Sequence, residues 1–277
     1  MLVWPLQAMG FLFNISQRAS VSYDRIETLL AETPDIQDPS QPVTVIQNGD
    51  LEYDIEEFAY EKEPVLEKVA FHLEKGQTLG IVGPTGSGKT TLLRLLLREH
   101  DLEQGDILLN GISIKHYRLE DLRSLIGYVP QDQILFAMTI RENVAFSDPQ
   151  IEEEEVMKAL RTCGVYEDIL VMPDQMETVL GERGVSLSGG QKQRIAMSRA
   201  LVMNPEILIL DDSLSAVDAK TEHQIIENMK LERKGKTTII TAHRLSAIVH
   251  ADLILVMENG QIKERGNHEE LMAQKGW

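Results

Sequence analysis

The eight residues GPTGSGKT, Gly83 to Thr90, constrain the fold of this chain more than any other stretch. They fit the pattern G-x-x-x-x-G-K-[ST], whose glycines let backbone N–H groups close around phosphate oxygens. Lys89 supplies a positive charge for the terminal phosphates and Thr90 a hydroxyl for Mg²⁺. Such a loop belongs between a buried strand and a helix, and both flanks are present. TLGIV (Thr78–Val82) is a short apolar run of strand type, and TLLRLLLREH follows with helical spacing. At average residue usage the fixed positions alone would recur by accident in roughly one chain in a hundred of this length, so a Gly-rich turn that binds nothing is the poorer reading.

LSGGQ, Leu187 to Gln191, narrows the class. It opens QKQRIAMSRALVMN, which reads as a helix, so Ser188, Gly189 and Gly190 present small residues and N–H groups at a helix N-terminus. Two separate phosphate-binding edges in one chain suit two different nucleotides.

Composition removes several alternatives. The 277 residues hold one large domain or two small ones, and the formal net charge of −17 argues against binding a nucleic-acid backbone. A single cysteine, Cys163, excludes an internal disulfide, suits a reducing compartment and reads as a small core residue. No Cys/His cluster has zinc spacing, so the only metal expected arrives with a nucleotide.

The first fourteen residues, MLVWPLQAMGFLFN, are strongly apolar. They lack the basic start and cleavage site of a signal peptide, and they fall short of the about 20 residues that a membrane span takes. ISQRASVSYDRIETLLAE continues as an amphipathic helix ending before Thr33–Pro34, and residues 33–48 read as a Pro-containing linker. A globular domain is expected from Gly49 onward. LEYDIEEFAY and VAFHLEK are strands, GDILLNGISI carries an Asn110–Gly111 turn signal, LEDLRSLI is a short helix and GYVPQD a strand entering a loop. From Thr139 to Met172 the pattern is helical; Glu152 to Glu155 sit in a first turn, where the helix dipole favours them, and read as a solvated helix start and not as a metal site. EILILDD, TTIITAH and DLILVMENGQIKERG supply further strands. The alternation implies an α/β fold with a mainly parallel sheet and a helical insert between Thr139 and the signature.

ILILDD places Asp211 at the carboxyl end of a buried strand, where a carboxylate faces the phosphate loop and can hold Mg²⁺ through water. With loop, LSGGQ and this strand in that order, the chain resembles the nucleotide-binding domain of an ATP-binding-cassette transporter. In that family two domains sandwich two ATP molecules, the loop of one facing the signature of the other. The resemblance covers Gly49 to the end and, more weakly, the first forty residues. It implies a P-loop NTPase core, an N-terminal antiparallel β portion and a helical signature subdomain at about 136–190. It further implies ATP contacts from Tyr60 (stacking on adenine), Gly83, Pro84, Thr85, Gly86, Ser87, Gly88, Lys89, Thr90 and Thr91. Ser188, Gly189, Gly190 and Gln191 would serve the partner's nucleotide. Thr90, Gln131 and Asp211 would hold Mg²⁺, with Gln131 also linking the γ-phosphate to the membrane domain. His243 matches a histidine that contacts the γ-phosphate, and Asp218 an acidic residue that crosses to the opposite domain. TVLGERG (Thr178–Gly184) is similar to a segment of exporters, with Glu182 against the partner's coupling helix.

One position departs from the family. Where a glutamate normally polarises the attacking water, this chain has Asp212. The shorter side chain withdraws the carboxylate by about 1.5 Å, and a misplacement near 1 Å can cost on the order of a hundredfold.

These readings converge on the ATPase domain of a multidrug-exporter-like half-transporter on the cytoplasmic side of a cell membrane. Residues 1–32 would be the end of its last membrane helix with an extension, and the membrane domain is expected upstream. The implied partner is a second half-transporter. Asp212 beside an intact LSGGQ points to a heterodimer in which this chain's own site is the weak one; an ordinary symmetric dimer stays open. So do a non-hydrolysing ATP-gated module and a soluble cassette ATPase acting on ribosomes or DNA, though the latter predicts a basic surface. The transported substrate belongs to the membrane domain.

Overall fold

The computed structural model describes residues 3–44, 48–181, 187–274 and 276. The chain divides into two compact units, residues 1–37 and 38–277. The first contains helix α1 (Val3–Ala31), none of whose residues is buried; Trp4, Phe11 and Phe13 are exposed. Among the described residues no helix is long and apolar enough to cross a membrane.

The segment read as a linker, 33–48, straddles the division. Asp38 Oδ1 accepts from the Leu119 N–H at 2.8 Å, Val43 N–H donates to the His116 carbonyl at 2.9 Å, and Asn48 Nδ2 donates to Glu206 at 3.0 Å. Its prolines remove regular structure there without removing tertiary contacts.

The larger unit opens with β1 (Leu51–Ala59), β2 (Pro64–Leu73), β3 (Thr78–Val82) and α2 (Lys89–Leu96). Next come β4 (Gln104–Leu109), β5 (Ile112–Ser113), α3 (Leu119–Ser124) and β6 (Ile126–Val129). The helical stretch is α4 (Ile140–Val144), α5 (Glu153–Thr162), α6 (Tyr166–Leu170) and α7 (Gly189–Leu201). The chain closes with β7 (Ile207–Asp211), α8 (Ala219–Glu232), β8 (Thr237–Thr241), β9 (Leu253–Glu258), β10 (Gln261–Gly266) and α9 (His268–Gln274).

Two sheets result. The antiparallel one runs β2-β1-β4-β5; β1 buries Leu51, Tyr53 and Ile55 and turns Asp54 and Glu56 outward, a half-buried strand's alternation. Tyr53 stacks on its cross-strand partner Phe71, ring centroids 4.4 Å apart. The second sheet runs β10-β9-β3-β8-β7-β6, parallel except for the β9–β10 hairpin. Its central strands lack alternation because both faces are covered: Ile207 and Ile209 enter one core cluster, Leu208 and Leu210 the other. The Asn-Gly pairs at 110–111 and 259–260 are hairpin turns with two positive φ angles each, Asn110 at +54° and Gly111 at +73°, Asn259 at +48° and Gly260 at +75°. The second splits the run DLILVMENGQIKERG into β9 and β10.

One register matters for the site. Strand β8 lies between β3 and β7, and its last residue, Thr241, pairs with Ile81 on one side and Asp211 on the other. The phosphate loop therefore leaves the sheet with a single strand, β8, between it and Asp211.

Candidate functional site

The turn after β3 can be made only by glycine at its key positions. Gly83 has φ +150°, and a Cβ there would stand 2.0 Å from the Met257 carbonyl oxygen. Gly88, at φ +96°, would place a Cβ 2.5 Å from Leu66 Cδ2. Gly88 also begins α2 without a side-chain cap, so the first N–H groups of that helix are offered outward.

Lys89 is 8% exposed, and its Nζ donates to the carbonyls of Gly83 at 2.8 Å and Pro84 at 3.0 Å. Burial lowers its pKa, while the charges of Asp211 and Asp212 act the other way. The buried hydroxyl of Ser87 has no hydrogen-bond partner. A buried ammonium resting on neutral acceptors, an unpartnered hydroxyl and open helix N–H groups fit a polyanion such as a nucleotide's phosphates.

Asp211 is 2% exposed and is held by three hydroxyls. Its Oδ1 accepts from Thr241 Oγ1 at 2.6 Å and from Thr90 Oγ1 at 3.3 Å; its Oδ2 accepts from the Tyr128 hydroxyl at 3.3 Å. The tyrosine's pKa is pushed up, first by burial and then by that carboxylate. A threonine hydroxyl and a carboxylate joined this way are hard oxygen donors of the kind Mg²⁺ takes. Asp212 follows at φ +46°, its N–H shared between Thr241 O at 3.1 Å and Thr241 Oγ1 at 2.9 Å.

One cleft of about 210 Å³ is lined by Thr85, Gly86, Gly88, Lys89, Thr90, Thr91, Gln131, Asp211, Asp212 and His243. Gly83, Pro84 and Ser87 belong to the turn that anchors Lys89. Tyr60 is partly exposed; its hydroxyl donates to Thr91 Oγ1 at 3.1 Å, and its ring meets Phe58 and His100 edge-on. Val65 and Thr241 also line the cleft and Tyr128 braces it, none of which the sequence reading named. A usable signal existed for Thr241, a polar end to an apolar strand two residues before His243. Using it required knowing that β8 lies beside β7.

LSGGQ stands apart. Ser188 caps α7: its Oγ accepts from Gln191 N–H at 3.2 Å, and Gln191 Oε1 accepts from Ser188 N–H at 3.0 Å. This is a capping box, so the Gln191 side chain supports the serine. Gly190 is needed for space, because a Cβ would lie 3.0 Å from the Ala216 carbonyl. None of Ser188, Gly189, Gly190 or Gln191 lines the cleft. Asp218 caps α8 by accepting from the Thr221 N–H at 3.1 Å, and hydrogen bonding from Thr221, first its side chain and then its backbone, holds the Asp218 carboxyl below the ordinary range. Glu182 lies outside the described residues.

A second groove, about 370 Å³, is bordered by Asp132, Gln133, Ile134, Arg199 and Met203. Arg199 also lies 5.2 Å over the ring of Phe136, which stacks on Phe146. Gln131 in the cleft and Asp132 in this groove are consecutive residues, so one loop touches both.

A family profile described as "ABC transporter" matches residues 66–215. The whole chain is 49% identical to the probable multidrug resistance ABC transporter ATP-binding/permease protein YheI of Bacillus subtilis (strain 168), covering 48% of that protein. It is 47% identical to the multidrug resistance-like ATP-binding protein MdlA of Escherichia coli (strain K12), again over all of this chain and 47% of the relative. A solved structure of a bacterial Atm1-family ABC exporter with ATP bound matches with a TM-score of 0.92 at 36% identity, over 98% of this chain and 48% of that one. The chain thus spans about half the length of the relatives it matches.

Proposed function

The chain belongs to the ABC transporter family, and on that premise we propose that it is the nucleotide-binding domain of a multidrug-type exporter, working as one half of a dimer. The observation that carries this reading is the separation of two edges. Lys89, Thr90 and Asp211 converge in one cleft, while Ser188 to Gln191 form a helix start elsewhere. Neither edge alone would make a complete hydrolytic site, and two such domains facing each other would complete both.

In this reading the loop backbone and Lys89 hold the phosphates of ATP, and Tyr60 takes the adenine. Thr90, Gln131 and Asp211 would hold Mg²⁺, which when bound neutralises charge on the terminal phosphates. Asp212 accepts a hydrogen bond from the attacking water and His243 faces the γ-phosphate. Positioning and charge do the work, with no covalent intermediate on the protein. Asp212 leaves the water poorly oriented, so the weak site of a heterodimer is the one built on this chain. The partly exposed Phe136–Phe146 pair beside the second groove suits docking of the transporter's membrane domain, and the loop at Gln131 and Asp132 would carry the state of the nucleotide to it. Residues 1–32 would then be the cytoplasmic extension of a membrane helix, 33–48 the connection and 49–277 the ATPase domain, on the cytoplasmic side of the membrane.

Titration with a fluorescent ATP analogue and turnover by the assembled pair test this together. Lys89→Ala removes a charge-assisted contact and should weaken analogue binding roughly ten- to a hundredfold. Ser188→Arg should leave that binding intact and abolish turnover of the pair. Loss of binding in the isolated Ser188→Arg chain would overturn the two-edge arrangement.

A further inference from the structure

Thr241 is buried at 2% exposure at the end of β8, and its one hydroxyl is committed on both sides. The proton goes to Asp211 Oδ1 at 2.6 Å, and the oxygen accepts the Asp212 N–H at 2.9 Å. A hydroxyl has one proton to give, so the carboxylate takes it and the amide must be the donor on the other side. We propose that Thr241 is the positioning residue of this site: it sets the rotamer of the Mg²⁺-facing carboxylate and the backbone of the water-facing residue at once. The inference rests on the nucleotide-site reading above.

The geometry makes Thr241 more than filler. The Thr90 hydroxyl reaches the same Oδ1 only at 3.3 Å, so the short bond to Thr241 dominates the placement of Asp211. Strand pairing of Asp211 with Thr241, and of Thr241 with Ile81, ties both carboxylates to the strand that carries the phosphate loop. Without the hydroxyl the fold keeps its connections. Asp212 N–H retains the Thr241 carbonyl at 3.1 Å, and Asp211 retains Thr90 and Tyr128.

The test compares the 277-residue chain with Thr241→Val and Thr241→Ser, titrating a fluorescent ATP analogue in EDTA and then across Mg²⁺ concentrations. Binding in EDTA should match in all three. The Mg²⁺ concentration at half-effect should rise roughly tenfold in Thr241→Val, as loss of one hydrogen bond to a charged group predicts. It should return to within about twofold of the native value in Thr241→Ser, which keeps the hydroxyl. Thr241→Ala removes the same group and serves if the valine variant folds poorly. An unchanged Mg²⁺ requirement in Thr241→Val would reduce Thr241 to packing, and equal weakening in EDTA would mean general damage; either overturns the inference. A native chain that binds no analogue, or binds it without regard to Mg²⁺, would sink the nucleotide-site reading itself and the inference with it.

Discussion

Replacing Asp212 by Glu tests the unequal-site reading with two readouts that should move in opposite directions. The added methylene extends the carboxylate by about 1.5 Å, and an error near 1 Å in a catalytic group is worth on the order of a hundredfold in rate. The backbone works against the exchange. Asp212 sits at φ +46°, a left-handed conformation that Asp tolerates because its short side chain can bond locally, whereas Glu pays about 1 kcal/mol for it. The two hydrogen bonds from its N–H to Thr241 hold that conformation in either variant, so the cost falls on stability and not on where residue 212 stands. For a domain of this size about 1 kcal/mol lowers the melting temperature by roughly 2–4 °C. The expected outcome is a slightly less stable chain whose own site hydrolyses at least about tenfold faster. Single-turnover hydrolysis, with the partner's catalytic carboxylate neutralised, isolates that site; differential scanning calorimetry supplies the other number. If the native aspartate site turns over as fast as the glutamate variant, the geometric defect does not exist and a symmetric exporter is the better account.

The phosphate loop offers a graded pair. Gly83→Ala places a Cβ 2.0 Å from the Met257 carbonyl and must displace the loop or β9, whereas Gly86→Ala meets nothing within 4 Å and carries only the strain of φ +82°. Analogue binding should fall by about a hundredfold or more in the first and by roughly tenfold or less in the second, since about 1–2 kcal/mol of backbone strain is all the second incurs; equal losses would contradict the close-approach argument. At the other edge, Gln191→Ala should break the capping box and destabilise the start of α7 by about 1 kcal/mol, while Gln191→Glu, the other residue the motif accepts, should retain it. Urea unfolding midpoints decide, and a glutamate variant as unstable as the alanine one would mean that Gln191 does something else.

Much of this was legible in the sequence because local chemistry and global fold agree there. The glycines of the loop, the fully apolar strand ending in Asp211 and the Asn-Gly turn at 110–111 each admit few conformations, and the structure uses the ones they favour. Long-range geometry was not legible. No periodicity reveals that β8 is inserted between β3 and β7, so the role of Thr241, set by its neighbours, could not be read from TTIITAH alone. The stretch after Pro34 is a further case of long-range geometry without a sequence signal. Its composition is that of a linker, yet Asp38 and Val43 satisfy backbone groups near His116 and Leu119, contacts that leave no pattern in the sequence.

The same limit applies to what joins the two edges. LDDSLSAVD reads as a strand followed by a loop, but in the structure nearly every step of that loop is fastened. The Asp212 carbonyl accepts from Ser215 Oγ at 2.8 Å. Gln193, buried in the second turn of α7, donates to that same Ser215 Oγ at 3.2 Å and accepts from the Ala216 N–H at 2.9 Å. Arg244 then holds the Val217 carbonyl at 3.0 Å, one residue after His243, and Asp218 caps α8. The segment leaving Asp212 is thereby tied both to the helix that LSGGQ opens and to the strand end that carries His243. Because interiors packed this tightly shift as units, a displacement of Asp212 reaches α7 through a single side chain. A site that hydrolyses slowly while its signature helix still serves a partner would therefore be mechanically coherent: under the unequal-site proposal the defect would lie in the reach of the Asp212 side chain, with the backbone connection between the edges left whole.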